Sequence, residues 1–202
     1  MSVHISVTNS KLGSSIPSVN LPPCDTCSPD APCAKTCYAR KGNFRFSNVQ
    51  KSMRENYLAW LNTPQEYEDA IVAVASNFTH FRFHSAGDIP DEKYFQTMIR
   101  ITKRCPNTKF LVFTKKFAIV NDYLGHGGVL PDNLSIVFSA WGDDHLPENP
   151  NHLPVAYVRL KNMTCTIPEG AHECPGFCGS CASTDHSCWN LKHGESVVFN
   201  QH

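Results

Sequence analysis

Apolar residues recur at two different periods along this chain, and the alternation between them outlines a sheet flanked by helices. From Ser47 to about Asn62 they fall three to four apart, at Val49, Met53, Tyr57, Leu58 and Leu61. That spacing predicts an amphipathic helix with Ser47 as its N-cap. Thr63-Pro64, with Glu66 three residues after Thr63, predicts a second helix to about Ser76 that opens on a capping box. A third helix is expected from Pro90 to Arg104, with Tyr94, Phe95, Met98 and Ile99 on one face, and a fourth from Phe117 to Leu124. Between the helices lie compact apolar runs. FRFHSAGD (81–88) reads as a short strand entering a Gly-Asp turn; FLVFTK (110–115), LSIVFSAW (134–141) and VAYVRL (155–160) read as further strands.

Strands that alternate with helices at this spacing imply a parallel sheet, and strands apolar almost throughout imply that both faces are covered. Four or five βα units fit this length, whereas a full eight-fold barrel takes about 250 residues. The expected fold class is α/β, a truncated or partial (βα) barrel of parallel strands with irregular Cys-rich N- and C-terminal segments. An open doubly wound sheet is the alternative. The expected organisation is a single domain over 1–202: a Cys- and Pro-rich loop segment (1–45), the partial barrel (46–160) and a Cys-rich tail (161–202). The stretch SIPSVNLPPCDTCSPDAPC holds five prolines, which interrupt helices and central strands. Ordering it needs an outside constraint, and a bound metal would supply one.

The chain has equal numbers of acidic and basic residues, 18 of each. A formal net charge of zero argues against non-specific nucleic-acid binding and against a polybasic membrane anchor, both of which need a positive field. MSVHISVTNSKLGSS has no basic region followed by an apolar run, so no signal peptide is expected, and no stretch has the apolar length of a membrane-spanning helix. The expected location is the cytoplasm, where thiols stay reduced and clustered cysteines favour metal over disulfides.

The cysteines carry most of the candidate chemistry. Nine of ten fall in two groups, Cys24-x2-Cys27-x5-Cys33-x3-Cys37 and Cys165-x8-Cys174-x3-Cys178-x2-Cys181-x6-Cys188. Thiolates gathered this densely are the usual cage for a soft metal centre. Pro175, Gly176 and Gly179 between the later cysteines allow thiolates to converge and backbone amides to point at sulfur. An iron–sulfur cluster is expected ahead of zinc, whose ribbons separate two CxxC knuckles by about 15–20 residues. One [4Fe–4S] cluster or two could be held; a four-ligand site leaves one of the five C-terminal cysteines spare. Cys105, alone at a predicted helix end, reads as structural. The spacing Cys174-x3-Cys178-x2-Cys181 equals that of radical S-adenosylmethionine enzymes. Here, however, it follows the last strand rather than the first, has Ser180 where an aromatic is favoured, and has Cys165 and Cys188 nearby to fill the open iron position.

In parallel α/β folds, sites lie at the carboxyl ends of strands. His84, Ser85 and Asp88 follow the first clear strand, Thr114 and Lys115 end the second, and Ser139, Trp141 and Asp143 follow the third. Arg82 and His84 share parity and would point to one face. Arg82, His84, Ser85, Asp88 and Lys115 are therefore candidates for a substrate or anion pocket. The alternative is a buried polar network that satisfies itself, with Gly87-Asp88 capping the next helix. His172 and His186 in the tail could replace a thiolate but read as solvated loop residues.

CAKTCYARKGNF (33–44), MREN (53–56), FRFHSAGD (81–88), FTKK (113–116) and CPGFCGSC with a following CW (174–189) together resemble the phage gene product 88 family. The resemblance runs from about Cys24 to the end, with the CYA-x-x-G element and the cysteine tail as its most specific parts. It implies a virus-encoded iron–sulfur protein with a shortened, TIM-barrel-like fold related to radical enzymes. Cys33 and Cys37 match the CYA element; Cys165, Cys174, Cys178 and Cys181 match the tail; Cys24 and Cys188 align less closely. The expected function is iron–sulfur cluster binding with an electron-transfer or redox role and an unknown redox partner, in a host cytoplasm. The alternatives are a cluster-dependent enzyme of the radical type and a zinc-stabilised binding module.

Overall fold

The computed structural model describes residues 2–161 and 164–200. The predicted elements form close to their expected bounds: α1 (Ser47–Asn62), α2 (Pro64–Ala75), α3 (Glu92–Arg104) and α4 (Phe117–Gly125). The expected strands are β3 (His80–Phe83), β4 (Lys109–Thr114), β5 (Leu134–Ser139) and β6 (Val155–Arg159). Four short strands were not anticipated. β1 (Ile5–Ser6) and β2 (Ser18–Val19) lie in the segment expected to be loop, and β7 (His172–Glu173) and β8 (Ser196–Asn200) lie in the tail. One turn of α-helix, α5 (Cys178–Cys181), lies in the tail, and short 3-10 turns at Ala34–Thr36, Tyr38–Arg40 and Gly42–Arg45 shape the first cysteine segment.

The eight strands form one sheet in the order β1-β2-β3-β4-β5-β6-β8-β7, parallel throughout except for the β1–β2 pair. From β2 to β6 the strands follow chain order without reversal. A doubly wound sheet reverses its order so that helices can cover both faces. Here α1 to α4 all send side chains into one core with Phe81, Phe83, Phe110, Ile136 and Phe138, so they share one face and the doubly wound alternative does not hold.

Side chains alternate across each strand, and register partners share a face. Phe81, Phe83, Phe110, Val112, Leu134 and Ile136 face the helices. Leu111, Val137, Ala156 and Val197 face the other way and pack against Leu12, Ile16, Ala182, Trp189 and Leu191 from the two terminal segments. The second face of the sheet is thus covered by the cysteine-bearing ends of the chain. The indole of Trp189 pins the tail by donating to the carbonyl of Phe81 at 3.2 Å.

The N-terminal segment is held by its own packing and hydrogen bonds. Leu12, Ile16 and Leu21 are fully buried or nearly so. Asn56 of α1 accepts from the amide of His4 at 2.6 Å and donates to the carbonyls of His4 and Asn20 at 2.9 and 3.0 Å. This also corrects the predicted face of α1. Met53, Asn56, Ala59 and Trp60 are buried, while Leu58 and Leu61 point outward, because Trp60 packs edge-on against Tyr94 and rotates the helix to suit.

The helix starts differ as well. Phe46, not Ser47, is the N-cap of α1, and no side chain caps it. Thr63 donates its hydroxyl back to Ala59 at 3.1 Å instead of capping α2, so the capping box does not form. Asp91 caps α3 by accepting from the amide of Tyr94 at 2.9 Å. No helix among the described residues is long and apolar enough to cross a membrane.

Candidate metal centre and adjoining cavity

The carboxyl ends of β3, β4 and β5 open into a cavity of about 560 Å³. Arg82, His84, Ser85, Asp88, Thr114, Lys115, Ser139 and Trp141 all contribute to its lining, as the strand-end argument anticipated. Asp143 does not; its carboxylate accepts from the amide and hydroxyl of Thr166 at 2.6 and 2.9 Å.

Asp88 is buried and takes three donors: the Thr114 hydroxyl at 2.6 Å and the amides of Lys115 and Ile89 at 2.9 and 2.8 Å. Burial pushes its pKa up, and those three hydrogen bonds pull against the rise. Asp88 does not cap the following helix through Gly87; it ties β3 to β4. The loop behind it is held by Asn20, whose side-chain oxygen accepts from the amides of Ser85 and Ala86 at 2.7 and 3.1 Å.

Arg82 and His84 do not share a face. Arg82 lies with its guanidinium over the ring of Phe113, 4.9 Å from the centroid, on the side of the sheet covered by the cysteine segments. His84 leaves the strand with φ of 60°, in the left-handed region, which breaks the alternation. Its Nε2 lies 2.9 Å from the hydroxyl of Tyr94, which is 2.7 Å from that of Tyr67, on the helix side. Strand parity holds only while the backbone stays extended, so the shared-face expectation fails at the first residue after β3.

Burial, with Arg82 adding to it, lowers the pKa of His84 to about 3. The imidazole is therefore neutral when folded and protonates near its ordinary value, about 6.5, when unfolded. The unfolded state then binds the extra proton between those limits, and stability falls as pH drops from roughly 6.5 towards 3. The expected slope from this residue is about 1.4 kcal/mol per pH unit. His84→Asn, which tolerates the backbone, should remove it. Urea unfolding at pH 7, 5.5 and 4.5 checks this; equal pH slopes in the two proteins would refute it.

The cysteines separate into two groups of four. Cys188 is pushed up to about 12 by burial first and then by the nearby Cys174, Cys178 and Cys181, against the pull of Arg82. Burial likewise raises Cys178, opposed by Arg82 and Lys11. Cys178 and Cys181 stand at the two ends of the single turn α5, a spacing that puts both on one side of a helix. Their backbone is fixed from outside: the amide of Cys178 donates to Lys11 at 2.8 Å, that of Cys174 to Val198 at 2.9 Å, and the Ser135 hydroxyl to the carbonyl of Cys188 at 2.8 Å. Cys165 stands elsewhere, where its charge is felt by Tyr157 and Arg159. Cys188, by contrast, lies near Cys174, Cys178 and Cys181.

In the first group burial raises Cys27 to about 11, with Asp88, Cys33 and Cys24 adding to the rise. Cys37 is raised by burial, with Cys33 and Cys24 adding. Cys27, Cys33 and Cys37 line the same cavity as Cys174, Cys178, Cys181 and Cys188. All ten cysteines are unpaired, so no disulfide staples either segment. As placed, no three His, Cys, Asp or Glu side chains among the described residues stand close enough to hold a single ion. Cys105 is buried beside Ser76 at 3.3 Å, a structural thiol as expected. His186 lines the cavity and packs against His172, with ring centroids 4.5 Å apart.

The donor set suits a soft metal centre. Buried thiols with raised pKa values stay protonated on their own; a bound metal offsets that by stabilising the thiolates. Residues that sequence reasoning missed are Asn20, Tyr38, Phe113 and Lys11. Tyr38 donates its hydroxyl to the carbonyl of Ser85 and joins the first cysteine segment to the loop after β3. No local pattern marks such long-range partners; strand parity alone could have placed Phe113 beside Arg82.

No curated protein and no solved structure matches the chain. Residues 4–163 match the family described as Gene product 88. The match takes in the first cysteine group and Arg82, His84, Ser85, Asp88 and Lys115, and it stops before Cys165. The cysteine tail, expected to be among the family's most specific parts, lies outside it. Because the match covers most of the chain, from the first strand through the sheet to the end of β6, the chain belongs to the Gene product 88 family.

Proposed function

We propose that this is a virus-encoded iron–sulfur protein with a redox role in the host cytoplasm, its cluster held by Cys174, Cys178, Cys181 and Cys188. The observation that carries the reading is the grouping of these four thiols around Cys188, with Arg82 and Lys11 as the nearby positive charges. Membership of a phage gene-product family supports the viral origin. When bound, the cluster supplies reversible one-electron chemistry. The cysteine spacing, denser than the two separated knuckles of a zinc ribbon, favours a cluster over zinc. The remaining four, Cys24, Cys27, Cys33 and Cys37, form a second donor set of the same kind.

A second reading, a cluster-dependent enzyme, is favoured by the cavity itself. The cavity of about 560 Å³ falls within the size range of small-molecule sites, and beyond the cysteines its lining includes Arg82, Lys115 and Trp141, which cluster ligation does not require. The unreversed strand order from β2 to β6 supports a partial barrel, the architecture of the radical enzymes whose cysteine spacing this chain shares. With Cys188 as fourth ligand, the cluster would have no open iron. Adding S-adenosylmethionine should then leave its spectrum unchanged, and a perturbed spectrum would favour the radical reading.

The deciding experiment is iron, sulfide and zinc content on anaerobically purified protein, with a visible spectrum of the same sample. Iron and sulfide in equal amounts, at about four or about eight per chain, would support one or two clusters. Stoichiometric zinc without iron would sink the redox reading and leave a zinc-stabilised binding module.

A further inference from the structure

We propose that the cavity binds a small organic anion, a carboxylate or a phosphate ester, with its charged group on Arg82 and its apolar body against Phe113, Trp141 and Phe199. The inference names the substrate class of the site proposed above. It rests on that reading for the ligand's redox purpose but not for its binding.

Arg82 is a buried cation, 8 % exposed, on a sheet face otherwise built from Leu111, Val137, Ala156 and Val197. Among the described residues its guanidinium has no hydrogen-bond or ion-pair partner, and its Nε is buried and unsatisfied. A charge is taken out of water at high cost unless something pairs with it. Stacking over Phe113 occupies the face of the guanidinium and leaves its edge, with the donors, free. That fork matches the two oxygens of a carboxylate or phosphate.

A neighbouring residue gives the same indication: Ser85 Oγ is also buried without a partner, and Ser85 lines the cavity. Native proteins rarely leave such atoms unsatisfied, and here Arg82 Nε and Ser85 Oγ, three residues apart, both belong to the cavity lining. The two acids in the lining are already engaged: Asp88 by Thr114 and two amides, Glu173 by Arg159. Neither neutralises Arg82. Lys115 and Lys11 add further positive charge, their Nζ atoms 5.4 Å and 5.0 Å from the centres of the Trp141 and Phe199 rings. The competing role for Arg82 is to offset the charge of the Cys178 and Cys188 thiolates.

Calorimetric titration of the anaerobically purified protein with benzoate, phenyl phosphate and the neutral benzamide separates these roles. One or both anions should bind, benzamide should bind at least about tenfold more weakly, and Arg82→Gln should lose at least about tenfold in anion affinity with unchanged iron content. Which anion binds tells carboxylate from phosphate ester. If Arg82→Gln does not fold, Lys115→Gln should still weaken the anion roughly threefold and leave benzamide unaffected. Equal binding of benzamide and the anions overturns the proposal. So does unchanged anion affinity in Arg82→Gln alongside a shifted cluster potential, which would make Arg82 a counter-charge only. Anion binding by an iron-free protein would end the redox reading and keep this one; an iron-loaded protein that binds neither anion would do the reverse.

Discussion

Replacing Cys178 or Cys188 by Ser is expected to remove the iron and sulfide of the tail cluster, nearly all of the total if the protein holds one cluster and about half if it holds two, whereas Cys165→Ser and Cys105→Ala keep the wild-type content. A hydroxyl is a poor substitute for a thiolate at a soft metal. Cys188 is close enough to Cys174, Cys178 and Cys181 to feel their charge, and the Ser135 hydroxyl holds its backbone carbonyl. Cys165 lies by Tyr157 and Arg159 instead, although the sequence resemblance grouped it with the tail cysteines. The four variants thus pit the spatial grouping against the sequence grouping. Metal content is read on each after anaerobic purification, and a wild-type iron content in Cys188→Ser would refute the ligand set. Because metal binding is coupled to ordering of its loop, Cys178→Ser and Cys188→Ser should also melt earlier.

Phe83→Ala is expected to cost about 3–5 kcal/mol of stability, the range for an aromatic removed from a close-packed core. Phe83 is fully buried at the end of β3. Its ring stacks on Phe110 at 5.4 Å between centroids and meets Phe81 edge-on at 5.4 Å. Strand neighbours on both sides hold the surrounding backbone, so the void cannot close by collapse. The loss should reach the site as well, since His84 and Ser85 follow directly. Urea unfolding at neutral pH measures it. Val129→Ala, at a position 74 % exposed, serves as the control and should change stability by no more than about 0.5 kcal/mol. A loss below about 1 kcal/mol in Phe83→Ala would mean that this aromatic layer does not carry the core.

Local periodicity was a sound guide to element type. The windows Val49 to Leu61, Tyr94 to Ile99, FLVFT and LSIVF became α1, α3, β4 and β5 because burial on one helix face, or on both sheet faces, is written into residue spacing. Caps and faces were read less well. Ser47 and Thr63 have the right chemistry for caps but do not cap, and α1 turns its Leu58 and Leu61 outward because Asn56 and Trp60 find better partners inside. The strands β1, β2, β7 and β8 were missed. They are short or lie among prolines and cysteines, and they exist because neighbouring strands offer them a ladder, which is a non-local property.

By itself the sequence determined the α/β class, the parallel sheet, the two runs of cysteines and the strand ends where polar residues gather. All of these depend on spacing along the chain, which folding preserves. Only the tertiary structure decided that helices cover one face and cysteine segments the other. It also decided that Cys188 lies near Cys174, Cys178 and Cys181 while Cys165 lies by Tyr157 and Arg159, that cysteines of both runs line one cavity, and that Arg82 and His84 part company there. Those outcomes turn on contacts between residues far apart in sequence, such as Trp189 with Phe81 and Tyr38 with Ser85, and on one left-handed backbone at His84. A chain's spacing cannot encode such contacts until its ends have packed against the sheet.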